Sequence, residues 1–240
     1  MLARPLPEAQ YARIRDYKQL LLWKDLITFE KSNPQKLELE KLKERIDFTY
    51  RQALTILRFY PEIWNDYAEY HASMKNVKEG SKILKESITV MPESILMHCL
   101  YASYEENCKN FEEARRIIED LLSRCESPLV WIVYMQFCRR CFGIPVFRKA
   151  FLSAVNSKTV SHEVYVAAAR IEHQVNKEPQ VASRIYNLGL KFYKDNSEFL
   201  KCYIQFLESL NDHKSKFLND SAHLYRHQSC YRASAEGSAF

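Results

Sequence analysis

Apolar residues along this chain fall on one face of successive helical segments, and few stretches alternate with a period of two. That pattern predicts amphipathic helices joined by short loops. The helices are predicted near 7–32, 36–59, 62–74, 78–91, 94–108, 111–125, 128–141, 145–155, 160–175, 179–193 and 197–210. Pro61, Pro92 and Pro128 are each expected to begin the first helix of a two-helix unit, where a missing backbone N–H costs nothing. Asn33-Pro34, Gly143 and Glu178-Pro179 punctuate the turns inside units.

A longer period overlies the helical one. Trp23, Trp64 and Trp131 anchor it, followed three residues later by Leu26, Tyr67 and Tyr134. Between and beyond them, His98 with Tyr101 and Glu105, Tyr165 with Ala168 and Glu172, and Leu200 with Tyr203 and Leu207 fill the same frame. After a longer first step these anchors recur about every 34 residues, the length of a helical-hairpin repeat. The second helix of each unit repeats as well. Lys82, Arg116, Lys149 and Arg184 each stand two residues before a large side chain: Leu84, Ile118, Phe151 and Tyr186. Three residues beyond comes a small one, Ser87, Ala154 or Gly189, with Leu121 the exception and Tyr50 with Ala53 the first-unit pair. Large and small residues at i, i+3 share one helical face, so a neighbouring helix can approach closely at the small position. The expected fold is all-α, a right-handed α-solenoid of about five and a half hairpins, each burying its apolar face against the next.

Composition narrows this picture. Only 4 glycines stand against 15 tyrosines, too few for the many glycine-bearing turns of an open β-architecture. The formal charge of +5 is mild, and no run of five basic residues marks an import tract or a polybasic membrane patch. No apolar run spans a bilayer, and the opening MLARPLPEAQ lacks the apolar core of a secretory signal. Seven cysteines, an odd number lying mostly in apolar stretches, read as small buried hydrophobes in a reducing, intracellular compartment.

Taken across units, Trp-x2-Tyr-x3-Glu in the first helix and basic-x-apolar in the second resemble the half-a-tetratricopeptide (HAT) repeat. The Leu-Gly pair of the ordinary tetratricopeptide is missing: NDYAEY follows Trp64 and IVYMQF follows Trp131. Six ordered blocks narrow the resemblance: WKDLITFEKSNPQ, YPEIWNDYAEYH, VYMQFCRRCFGI, HEVYVAAARIE, NKEPQVASRIYNLGLKFY and YIQFLESLND. From Tyr17 to Asp212 the chain is similar to the large HAT-repeat subunit of the cleavage stimulation factor, the suppressor of forked family, in the C-terminal half of its HAT array.

The resemblance implies a nuclear protein–protein scaffold for pre-mRNA 3′-end cleavage and polyadenylation. Its partners would be other subunits of that complex and a second copy of itself. A scaffold of splicing or ribosomal-RNA processing and a solenoid that binds RNA directly are the alternatives. The family's proline-rich segment has no counterpart here. After Asp212 the family pattern stops, which divides the chain into a solenoid, 1–212, and a divergent, poorly ordered tail, 213–240. A truncated, alternatively spliced or frame-altered product is one reading of that tail. Without a closing helix, the face carrying Tyr203, Phe206, Leu207 and Leu210 is expected to lack its usual cover, and the homodimer to be weakened.

The candidate chemistry is sparse. Recurrence with the structural period assigns Trp23, Tyr50, Trp64, Tyr67, Tyr101, Trp131, Tyr134, Tyr165, Tyr186 and Tyr203 to helix packing rather than to a ligand-stacking surface. Glu30, Glu105 and Glu172 occupy one repeat position, so they do not converge as a paired acid and base. They are expected to bond neighbouring helices, Glu105 to Arg116 and Glu172 to Arg184. Cys138-Arg-Arg-Cys141 lacks the second pair a zinc or redox site needs, and His223, His227, Cys230 and Asp220 lie in the tail. Arg139, Arg140, Arg148 and Lys149 form the densest basic group and are the candidate RNA contacts, although no aromatic platform is interleaved with them. No phosphate loop, nucleophile elbow or zinc-protease motif is present, so the chain reads as a non-enzyme that needs no cofactor.

Overall fold

The computed structural model describes residues 14–125, 127–157 and 160–210. Among these, every regular element is helical: α1 (Ile14–Lys31), α2 (Leu39–Ile56), α3 (Pro61–Ser73), α4 (Val77–Val90), α5 (Ile95–Asn107), α6 (Phe111–Arg124), α7 (Pro128–Cys141), α8 (Ile144–Val155), α9 (His162–Arg170), α10 (Pro179–Tyr193) and α11 (Ser197–Ser209). A π turn, Ile171–Val175, extends α9. The chain divides between Cys125 and Glu126 into two compact units. The first holds the hairpins α1–α2, α3–α4 and α5–α6; the second holds α7–α8, α9–α10 and the single helix α11. None of the described helices is long and apolar enough to cross a membrane. The expected tail at 213–240, its histidines and the start of the first helix at residue 7 lie outside the described residues.

Helix starts follow the local chemistry. Pro61, Pro128 and Pro179 open α3, α7 and α10, and Pro145 is the second residue of α8. Pro92 does not begin a helix: it sits in the turn after α4, and α5 starts only after Ser94, whose side chain accepts from Met97 N–H at 3.3 Å. A serine that caps with its own oxygen displaces proline as the start signal. Asn196 caps α11 in the same way, accepting from Phe199 N–H at 2.9 Å.

The turns inside hairpins repeat as strictly as the helices. Lys75, Lys109, Gly143 and Lys177 all have left-handed backbones, with φ between 60° and 87°, and successive members are 34 residues apart. In the first two, the motif is a Schellman cap. Lys75 N–H donates to Ala72 C=O and Asn76 N–H to His71 C=O, both at 2.9 Å. Lys109 and Asn110 repeat the pair onto Glu106 and Glu105. Glycine normally fills this position; lysine in it costs roughly 1–2 kcal/mol.

The fourth and fifth repeats carry one more residue than the second and third between anchor and turn: Trp131 to Gly143 and Tyr165 to Lys177, against Trp64 to Lys75 and His98 to Lys109. In the fifth, the π turn absorbs it. Glu178 N–H, following the left-handed Lys177, closes onto Glu172 C=O at 2.8 Å, as Asn76 and Asn110 close onto His71 and Glu105, but with one more residue inside the loop.

The residue just before each anchor after the first, Ile63, Met97, Val130, Val164 or Phe199, is fully buried, so one frame runs through these five first helices, while Leu22 before Trp23 is exposed. On α11, Tyr203, Phe206 and Leu207 are buried too, contrary to the expectation of an uncovered face, while Leu210 past its end is half-buried. Tyr203 and Phe206 pack on Tyr186 of α10, and Phe206 on His173 of the π turn. These positions of a first helix look back at the preceding hairpin, so their cover does not depend on a following helix. Gly189 of α10 marks a close approach between repeats: a Cβ there would stand 2.6 Å from Phe199 and 3.3 Å from Tyr165.

Two substitutions test this reading. Lys109→Gly should raise stability by about 1 kcal/mol, seen as a higher urea midpoint, because it removes left-handed strain. Gly189→Ala should lower it by about 1–2 kcal/mol, although alanine is worth ~1 kcal/mol more than glycine in a free helix.

Candidate functional site

The seventh residue beyond each anchor lies in an apolar seam yet is often polar. Glu30, His71, Glu105 and Glu172 are 7%, 6%, 3% and 0% exposed. A charge buried so deeply needs partners, and they come from a consistent place. Ser81 of α4 donates to Glu105 Oε1 at 2.5 Å. Arg148 of α8 donates twice to Glu172, at 2.7 and 3.1 Å. Asp47 of α2 lies 3.1 Å from His71 Nε2. Asp47, Ser81 and Arg148 each stand three residues before the large side chain of their own helix: Tyr50, Leu84 and Phe151. The pairs therefore link the second helix of one repeat to the first helix of the next. Asn110 and Asn176 complete two sites, each donating at 2.9 Å to Glu105 and Glu172. Glu30 is held within its own hairpin by Arg45, at 2.5 and 2.9 Å.

This corrects the expected partners. Arg116 bonds Glu113 at 2.5 Å on its own helix, and Arg184 donates to Gln180 C=O at 3.4 Å. Each stands one residue past the linking position, about 100° round the helix, and turns away from the seam. The linking residues Asp47, Ser81 and Arg148 were missed because their type varies. Their signal is positional: a polar residue three before the large apolar one, facing a polar residue seven beyond the next anchor.

The aromatic side chains pack between helices. Tyr50 stacks on Tyr67 at 4.5 Å and Tyr186 on Tyr203 at 4.9 Å, the same pair in the two units. Tyr101, Tyr134 and Tyr165 are buried, as are Trp23 and Trp64, while Trp131 is half-buried with its edge toward Tyr134. Trp64 donates its indole N–H to Arg58 C=O at 2.8 Å. Burial pushes the Tyr67 and Tyr186 hydroxyls up to about 12. For Tyr50, burial and the 2.6 Å bond to Asp66 push it higher still. Lys31 covers this cluster, 3.3 Å from Asp66 and over the Tyr50 and Tyr70 rings. These groups are fixed as neutral packing elements at any physiological pH. Among the described residues no three His, Cys, Asp or Glu side chains converge on a metal-sized site.

The basic group is split. Arg148 is engaged with Glu172, whereas Lys149 is exposed beside it. Arg139 donates to the Asn176 side-chain oxygen. Arg139 and Arg140 border an open hollow of about 550 Å³ between α7 and α9 with its π turn. Arg170 lies on its other side, with Gln136 and Gln174 near by. A second hollow, about 470 Å³, lies in the first unit over Trp64 and Tyr67, edged by Arg51, Arg58 and Glu86. Neither hollow was visible in the sequence, since each joins residues of separate helices.

Comparison with known proteins places this arrangement. Residues 2–218 match the family described as Suppressor of forked protein. The chain is 32% identical over 201 residues to Cleavage stimulation factor subunit 77 of Arabidopsis thaliana, covering 84% of this chain and 27% of that protein. It is 28% identical to Protein suppressor of forked of Drosophila melanogaster (82% and 32%). It is 31% identical to the mRNA 3′-end-processing protein RNA14 of Candida glabrata (82% and 34%). The chain thus spans about a quarter to a third of the length of these relatives. The crystal structure of CstF-77 superimposes with a TM-score of 0.68 at 18% identity, over 89% of this chain and 48% of that one. The fold is therefore that of a HAT-repeat helical solenoid.

Arg148→Met tests the inter-repeat link. Burial pushes the Glu172 carboxyl up, but bonds from Arg148 and Asn176 and the charges of Arg148 and Arg139 outweigh it, holding the group below its ordinary 4.5. Its ionised form thus contributes stability above pH 4.5, lost as pH falls through the lower folded value. Removing the guanidinium should cost about 2–3 kcal/mol at pH 7. The deficit against the parent should shrink below pH 4.5, as Glu172 takes up a proton. Melting temperatures of both chains from pH 3 to 7 check this.

Proposed function

The chain belongs to the suppressor of forked protein family, and from that premise we propose that it is a protein–protein scaffold of the pre-mRNA 3′-end cleavage and polyadenylation machinery. The match over residues 2–218, with relatives named as cleavage stimulation and mRNA 3′-end-processing proteins, carries this reading. The physical organisation agrees with it. Framework aromatics and the linking carboxylates are consumed between helices, where they fix one repeat on the next, and the outward helix faces are left for partners. No catalytic role is assigned to any residue. Its partners in this reading are other subunits of that machinery and a second copy of the chain, and its place of action is the nucleus.

Direct RNA contact is the second reading. It rests on Arg139, Arg140 and Lys149, which border or face open surface, and less on Arg148, whose guanidinium is held by Glu172.

Tagged chain recovered from nuclear extract should bring down 3′-end-processing factors, identified by mass spectrometry. Recovery of splicing or ribosomal-RNA-processing complexes without them would overturn the proposal. Tight RNA binding that falls steeply with salt and is lost on replacing Arg139 and Arg140 would favour the second reading.

A further inference from the structure

Among the described residues, the hollow between α7 and α9 has a chemistry that points to a particular occupant. It lies between the first helices of consecutive repeats, and part of its wall is the π turn that absorbs the fifth repeat's extra residue. Single-turn π insertions of this kind re-aim the side chains that follow them and occur often at functional sites. Here Ile171 and Val175 of the turn border the hollow, with Ile132 from α7 opposite. Arg139, Arg140 and Arg170 stand around this apolar ground, and no carboxylate is among the lining side chains. Two of the three guanidiniums touch neutral groups: Arg139 the Asn176 amide oxygen, and Arg170 the Cys202 sulfur at 3.6 Å. Those contacts leave the charge of Arg170 uncancelled, while that of Arg139 is shared with the buried Glu172 behind Asn176.

We propose that this hollow docks an acidic peptide segment of a partner protein, with its carboxylates on the arginines and an aliphatic side chain between them on Ile132 and Ile171. Arginine's planar fork suits carboxylates, and a partly apolar floor strengthens each charged hydrogen bond. The lining holds no aromatic side chain on which bases could stack, which favours a peptide over single-stranded RNA. The proposal rests on the scaffold reading above and adds to it a place and a chemistry of recognition.

The test is selection of a random 16-residue peptide library on the whole chain, then titration of the enriched peptides. Peptides with acidic residues around aliphatic ones should be enriched. Their affinity should fall at least tenfold with Arg170→Glu and with Gln136→Glu, both at exposed positions, and should hold with Lys149→Glu, which lies outside the hollow. Circular dichroism melts confirm that each variant is folded. No enrichment, no acidic bias, or unchanged binding by the folded Arg170→Glu chain overturns the proposal. So does capture of a 20-nucleotide RNA by the parent that Arg170→Glu abolishes, which would reassign the surface to nucleic acid. Recovery of 3′-end-processing factors by the parent alongside any of these results leaves the broader scaffold reading intact. Its absence with the peptide result positive would sink that reading alone.

Discussion

A polar group set into an apolar seam has to be answered from the other side of the seam, and that requirement aligns α3, α5 and α9 with the hairpins before them. Glu172 is fully buried and ionised only because Arg148 reaches it from the preceding hairpin and Asn176 from its own. Ser81 performs the first of these roles for Glu105, with a hydroxyl in place of a guanidinium. Apolar packing alone would tolerate a helix sliding or rotating by part of a turn, because leucine meets isoleucine almost as well as valine. A carboxylate that loses its donor has no such latitude. The stacked pairs Tyr50–Tyr67 and Tyr186–Tyr203 supply buried area on the same seam. The polar pairs supply the alignment.

The same division of labour accounts for the surface. Large aromatic residues make up 13% of the chain, yet most of those at framework positions are turned inward. What remains outward is chiefly charged and amide side chains with scattered apolar ones, Phe29, Phe48 and Phe192 among them. Recognition on such a surface depends on charge and shape at the grooves between helices. The arginine-bordered hollow is the clearest instance, and it lies beside the π turn that extends α9.

Much of the fold was legible because it repeats. Trp23, Trp64, His98, Trp131, Tyr165 and Leu200 share a frame, and the helices lie within a few residues of where periodicity sets them. Three features were not legible, each for its own reason. Pro92 suggested a helix start, but Ser94 provides the better cap. Arg116 and Arg184 recur more visibly than Ser81 and Arg148, so recurrence pointed to residues one step round the helix from the working ones. The π turn left only a longer spacing that the fourth repeat shares without one, so the hydrogen bonds alone reveal it. The hollow could not be read at all, because Arg139 and Arg170 become neighbours only when α7 and α9 pack.

The lysines at the hairpin turns bear on how such a protein assembles. Lys75, Lys109 and Lys177 hold a backbone that glycine would adopt freely. A hairpin closed by lysine is therefore a poor nucleus by itself, and the flanking helices must impose the bend. Their hold on it grows once an adjacent repeat has docked and supplied the seam. Assembly then favours extension from an already ordered neighbour over independent closure of each unit, so that order spreads along the chain as a front. A protein built this way resists partial folding in its middle and frays, when it does, from its ends.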